Sequence, residues 1–66
     1  MRSIRKEMEQ DICAHNKVLR TAVKSMDWIQ LLNNCHPLYR EGYARRLHNS
    51  GLIHRTEAAK YCRGRL

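Results

Sequence analysis

The apolar residues of this chain recur every three or four positions, and little interrupts them. One Pro and three Gly punctuate 66 residues. No alternating run of β-branched residues is present, so a strand has no template. The spacing predicts an all-α protein of three or four helices, forming a single small domain over residues 1–66. A chain of this length buries only about 60% of its unfolded surface, so its own stability is marginal. A deep catalytic pocket has no room at that size. The chain is expected to be neither an enzyme nor a cofactor carrier. Ordinary disorder is excluded as well, because large apolar side chains run its whole length.

The leading segment is read as one helix from Ser3 to Met26, with Ser3 as its N-cap. Met8, Ile12, His15, Leu19, Ala22 and Met26 follow at alternating steps of four and three, which is a heptad seam. Such a long amphipathic helix, within residues 1–26, would run about 35 Å at 1.5 Å per residue. The compact helical part expected over 27–66 is too small to cover it. The stripe is either the core face of a bundle helix or a seam for another chain. On the second reading Met8, Ile12, His15, Leu19 and Met26, with Trp28 as an aromatic anchor, bind a partner helix or a second copy, and the protein self-associates. His15 is the polar member of the seam. It is read as a satisfied core or interface residue, as a device that sets register, or as a pH sensor.

Ser25 or Asp27 caps a second, short helix carrying Trp28, Ile29, Leu31, Leu32 and Cys35. Whether the chain breaks near Ser25 or continues as one bent rod stays open. Asn33-Asn34 weakens this helix, and Pro37 begins a third that runs to Asn49. Leu38 or Tyr39, then Tyr43 and Leu47, form its apolar face, with Arg40, Arg45 and Arg46 pointing elsewhere. Asn49-Ser50-Gly51 is a stop signal, after which Leu52 and Ile53 return to the core. Thr56 is the expected N-cap of a fourth helix, with Glu57 at its positive end. Ala58, Ala59, Tyr61 and Cys62 form the apolar side, and Lys60, Arg63 and Arg65 crowd the C-terminal end.

The net charge is +7, and it is uneven. Residues 1–33 hold six basic and four acidic groups, whereas residues 34–66 hold seven and two. An acidic partner is implied, either nucleic acid or an acidic protein surface. The two C-terminal helices and their glycine turn form a hairpin like a helix-turn-helix. As a DNA reader it would present Arg55, Thr56, Lys60 and Arg63 to the groove and Arg45 and Arg46 to phosphates. An ordinary helical hairpin gives the same string, and its last helix is short for base readout. Arg45, Arg46, Arg55, Lys60 and Arg63 are therefore candidates for electrostatic contact with protein or nucleic acid.

Cys13, Cys35 and Cys62 are an odd set for a disulfide framework, and they read as reduced thiols in a cytoplasmic protein. Their spacing with histidines matches no zinc motif. A thiol redox sensor using Cys35 or Cys62 is a third reading. No apolar run is long enough for a transmembrane helix, so no membrane is expected. The N-terminal Met1-Arg2-Ser3-Ile4-Arg5-Lys6-Glu7 leads into charge and does not read as a signal peptide.

One resemblance bears on function. Trp28-Ile29-Gln30-Leu31-Leu32, Cys35, Tyr39, Tyr43, Arg46 and Leu47 come first. Ser50-Gly51-Leu52-Ile53, Arg55, Thr56-Glu57-Ala58-Ala59 and Cys62 follow. Together they resemble the AraC negative regulators, small proteins of enteric bacterial pathogens. The likeness spans about residues 22–62. It implies a cytoplasmic, non-enzymatic protein that binds an AraC-type activator of virulence genes and blocks its dimerisation or DNA binding. It also implies a possible link to nucleoid-associated silencing proteins. The positions that match are Trp28, Leu31, Leu32, Tyr43, Leu47, Gly51, Leu52, Ile53, Glu57 and Ala58. Most of them are packing positions, so the resemblance does not say which residues touch the activator.

Overall fold

Ser3 opens the first helix as its position predicts: its hydroxyl oxygen accepts the Lys6 N–H at 3.1 Å. Helix α1 then runs Ile4–His15. In this computed structural model, which describes residues 3–64, three further helices follow. They are α2 (Trp28–Asn34), α3 (Pro37–Asn49) and α4 (Arg55–Ala59). No strand occurs among the described residues, and the protein is all-α. Met1, Arg2 and Arg65, which the sequence reading placed at the two ends, lie outside the described residues.

The single long helix to Met26 is corrected. Asn16 leaves helical geometry at φ −146° and ψ 89°, and its N–H closes on the Ile12 carbonyl. Asn favours helix ends because its side chain competes for local backbone hydrogen bonds. Two 3₁₀ turns, Lys17–Leu19 and Ala22–Ser25, then pack against α1. The reversal resets the phase of the apolar pattern. Val23 is 1% exposed, whereas Ala22, the expected seam residue, faces solvent. Met8 and Ile12 are fully buried within this one chain.

The core is one cluster of Met8, Ile12, Val23, Leu31, Leu32, Cys35, Ala44 and Leu47. Leu19, Met26, Trp28, Ile53, Tyr61 and Cys62 pack on its edge. So small a core is supplemented by charged side chains that bind the backbone of distant turns. The Arg5 guanidinium donates to the Met26 carbonyl at 2.7 Å and the Lys24 carbonyl at 3.2 Å, and lies 5.6 Å from the Trp28 ring centre. The Asp11 carboxylate accepts the His36 N–H at 3.0 Å. Arg40, expected to point away, instead donates to the carbonyls of Leu32 (2.8 Å), Cys35 (2.9 Å) and Asn33 (3.2 Å). These lie at the C-terminal end of α2, where carbonyls lack helical partners and a cation suits the dipole.

The remaining helix ends follow the same logic. Asp27 caps α2, its carboxylate accepting the Gln30 N–H at 2.8 Å while the Gln30 side chain accepts the Asp27 N–H at 3.0 Å. Pro37 is the first residue of α3, and His36 Nδ1 accepts the Leu38 N–H at 3.2 Å. Gly51 ends α3 at φ 74°, with Gly51 N–H to His48 O at 3.0 Å and Leu52 N–H to Leu47 O at 2.9 Å. That is the paired closure of a Schellman turn, and its left-handed residue suits Gly. The cap of α4 is His54 rather than Thr56, with His54 Nδ1 accepting the Thr56 N–H at 3.2 Å. Leu52 does not return to the core: it is 42% exposed, and Ile53 packs inward in its place.

Burial of the α1 stripe predicts a sharp contrast between two truncations. Ile12→Ala should cost about 3 kcal/mol, a large share of the stability of so small a domain. Leu38→Ala should change stability by less than about 0.5 kcal/mol. Urea denaturation followed by circular dichroism measures both.

Candidate partner-docking face

The residues expected to bind a partner are not at the surface as a group. Met8 and Ile12 are inside, and Leu19, Met26 and Trp28 are half-buried against the core. Met8 and Ile12 are corrected from contact residues to packing residues, because the reversal at Asn16 covers them with their own chain, while Leu19, Met26 and Trp28 pack on the core's edge and keep part of their surface. His15 is exposed but engaged within the chain. Its Nε2 lies 3.3 Å from the Asn34 carbonyl, its Nδ1 3.7 Å from Asp11, and its ring meets His36 edge-on at 5.4 Å. It joins the ends of α1 and α2 and sets no register in a heptad seam.

Val18 in the first 3₁₀ turn is 89% exposed and Leu52 after α3 is 42% exposed, each standing alone, whereas two adjacent exposed apolar side chains begin α3. Leu38 is 80% and Tyr39 56% exposed. The sequence reading placed one of them inward, from the four-residue steps Tyr39, Tyr43, Leu47. The buried residues of α3 are instead Ala44 and Leu47, with Arg40 turned to the end of α2. Leu38 and Leu47 are nine residues apart. At about 3.6 residues per turn that is two and a half turns, so the two leucines occupy opposite faces. Counting back from Leu47 by half-turns is the signal that would have found Leu38.

Clefts open on both sides of Leu38. One, of about 370 Å³, is lined by Glu7, Leu38, Tyr39, Gly42, Tyr43 and Arg46. The other, of about 570 Å³, is lined by Pro37, Leu38, Arg40, Glu41, Lys60, Tyr61, Cys62 and Arg63. Gly42 forms the floor of the first between Leu38 and Arg46, one turn from each. It lies inside α3, its φ is not positive, and an added Cβ would meet nothing within 4 Å. A glycine inside a helix costs roughly 0.5–1 kcal/mol relative to alanine, and nothing within this chain requires it.

The five cations expected to make electrostatic contacts divide into two groups. Arg46 pairs with Glu7 at 2.6 Å across to α1, and lies 5.9 Å from the Tyr43 ring centre. The Glu7 hydrogen bond pushes its guanidinium pKa further up. Arg45 pairs with Glu41 at 3.1 Å and Lys60 with Glu57 at 3.3 Å. All three pairs are solvated and contribute little to stability. No ion pair forms at Arg55 or Arg63 among the described residues. Arg46, Lys60 and Arg63 line the two clefts, whereas Arg45 and Arg55 do not. Helix α4 has only five residues, which gives Arg55 and Lys60 little helix from which to read a groove.

All three cysteines are free. Burial, reinforced by the Asp11 carboxylate and opposed by Arg40, pushes the Cys35 thiol up to about 12. A thiol so protonated is a poor nucleophile, which weighs against Cys35 as a redox sensor. Cys62 is half-buried, its Sγ 4.0 Å from the Glu41 carbonyl. No described helix is long and apolar enough to cross a membrane. Comparison with known protein families, curated proteins and solved structures finds no match to this chain.

The Cys35 environment predicts a pH signature. The unfolded thiol loses its proton near 9.0 and the folded one only near 12, so the unfolded state is favoured increasingly across that window. Between about pH 8 and pH 10 the wild type should lose more stability than Cys35→Ala, by roughly 1 kcal/mol. Urea midpoints at the two pH values measure the difference. In the folded protein Cys13 and Cys62 should react with a thiol reagent before Cys35.

Proposed function

We propose that this chain is a non-catalytic, cytoplasmic inhibitor of transcription activation that acts by direct contact with an AraC-type activator. The observation that carries the reading is the outward-facing Leu38–Tyr39 pair on a helix whose other side is the protein's own core. Exposed apolar side chains beside clefts of mixed apolar and charged lining are what a binding surface requires. A standard interface covers about 800 Å² per partner. That is about a sixth of the 4923 Å² surface. The resemblance to AraC negative regulators supplies the partner class, and the charge of +7 supplies attraction to an acidic surface.

The contact surface in this reading is α3 rather than the α1 stripe. Trp28, Leu31, Leu32, Leu47 and Ala58, shared with the resemblance, act as packing residues that hold α3 in place. Nucleoid-associated proteins are a further partner class on the same resemblance. Direct DNA binding is the rival function, and it draws on Arg55 and Arg63, whose guanidinium groups are unpaired among the described residues.

The test is a promoter reporter driven by each of a panel of AraC-type activators. The wild-type chain should lower output for at least one of them. The double variant Leu38→Asp, Tyr39→Asp should restore output to within about twofold of the uninhibited level while keeping its helical circular dichroism. Full repression by the folded double variant would contradict the reading. So would sequence-preferring binding of duplex DNA by the purified chain below about a micromolar, which favours the rival.

A further inference from the structure

We infer that the notch over Gly42 receives a bulky apolar side chain from an acidic amphipathic helix. The inference rests on the chain being a protein-binding module, but not on the partner being a transcription activator. Neither backbone conformation nor packing inside the molecule calls for glycine at this position. What the missing side chain provides is depth. The helix surface is lowered between Leu38 and Arg46, and Tyr39 and Tyr43 wall the depression. An arriving helix can bring its backbone closer to α3 here than elsewhere along it, and seat one large side chain against both tyrosine rings. Leu38 and the two tyrosines give the depression apolar lining, and the paired Glu7 and Arg46 give it charge, a mixture suited to an interface hot spot.

Charge chooses the occupant. A second copy would bring another +7 to the contact, which opposes self-association at this face. Around the two clefts that flank Leu38, Arg46, Lys60 and Arg63 outnumber Glu7 and Glu41, with Arg40 turned to the carbonyls at the end of α2. Arg46 is already paired with Glu7, yet its side chain stays 47% exposed. It retains N–H groups for an incoming carboxylate. Arg63 at the other cleft is unpaired among the described residues. An apolar stripe at i, i+4 with Glu or Asp beside it satisfies both the notch and the rim. Phosphate alone satisfies only the rim.

The probe is a synthetic helix of about 16 residues, with Leu on one face and Glu on the other, and its Lys-for-Glu counterpart as control. Both are titrated into the isotope-labelled chain, and amide shifts are followed. The acidic peptide should perturb residues 38–46, and the basic one should not. Gly42→Ala should melt a few degrees higher, because alanine favours the helix, while binding the acidic peptide at least tenfold more weakly. The inference is overturned if Gly42→Ala binds as the wild type does, or if α3 is silent. It is equally overturned if the basic peptide binds as well, if the chain alone dimerises through residues 38–46, or if duplex DNA displaces the peptide. If Gly42→Ala loses the peptide yet still represses the reporter in full, the notch stands as a peptide site and repression runs through another surface; if the peptide binds but the wild-type chain represses no reporter in the panel, the notch stands and the activator reading falls.

Discussion

Met8 and Ile12 set the terms for the rest of the molecule. They lie one turn apart on α1 and are fully buried, so other parts of the same chain have to wrap them. The cover comes from the chain itself: it reverses at Asn16, and the 3₁₀ segment after it delivers Val23. The reversal uses backbone that regular helices cannot satisfy. Arg5 closes part of that deficit at Lys24 and Met26, and Arg40 does the same at the end of α2. Two arginines thus hold turns that a larger protein would hold by burial alone.

With the α1 stripe occupied, the adjacent exposed apolar side chains are Leu38 and Tyr39 on α3. The helix is anchored by Ala44 and Leu47, which are buried in the core, and the solvated Arg46–Glu7 pair spans from it to α1. Its N-terminus is fixed by His36, whose own N–H is held by Asp11. Leu38 and Tyr39 are therefore presented from a rigid base rather than a loop. Rigid presentation lowers the entropy lost on binding. In the proposed reading the +7 charge would add encounter rate and salt sensitivity more than affinity.

Much of this was legible in the residues. The helical class, the cap at Ser3, the start at Pro37 and the glycine stop at Gly51 all follow from local chemistry, and local chemistry is what a sequence displays; for α2 it offered Ser25 or Asp27, and Asp27 is the cap. What escaped was phase. The steps Met8, Ile12, His15, Leu19, Ala22, Met26 continue across a break, because 3₁₀ turns repeat every three residues and imitate the short steps of a heptad. Asn16 was the one local stop signal, and a regular stripe ran straight over it. Phase also misplaced Leu38, since Tyr39, Tyr43 and Leu47 make an equally regular ladder. Arg40 was unreadable for a different reason. Its partners are three carbonyls of another helix, and no pattern in side-chain type announces a backbone acceptor.

The central claim is that one copy of the chain covers its own α1 stripe. An isotope-filtered Overhauser experiment on an equal mixture of labelled and unlabelled chains tests it most directly. The account requires the contacts of the Met8 and Ile12 methyl groups with the core to be absent from the filtered spectrum, because every such contact is within one chain. Strong cross-peaks between differently labelled chains at these methyls would mean that a second copy shelters α1, and would contradict it.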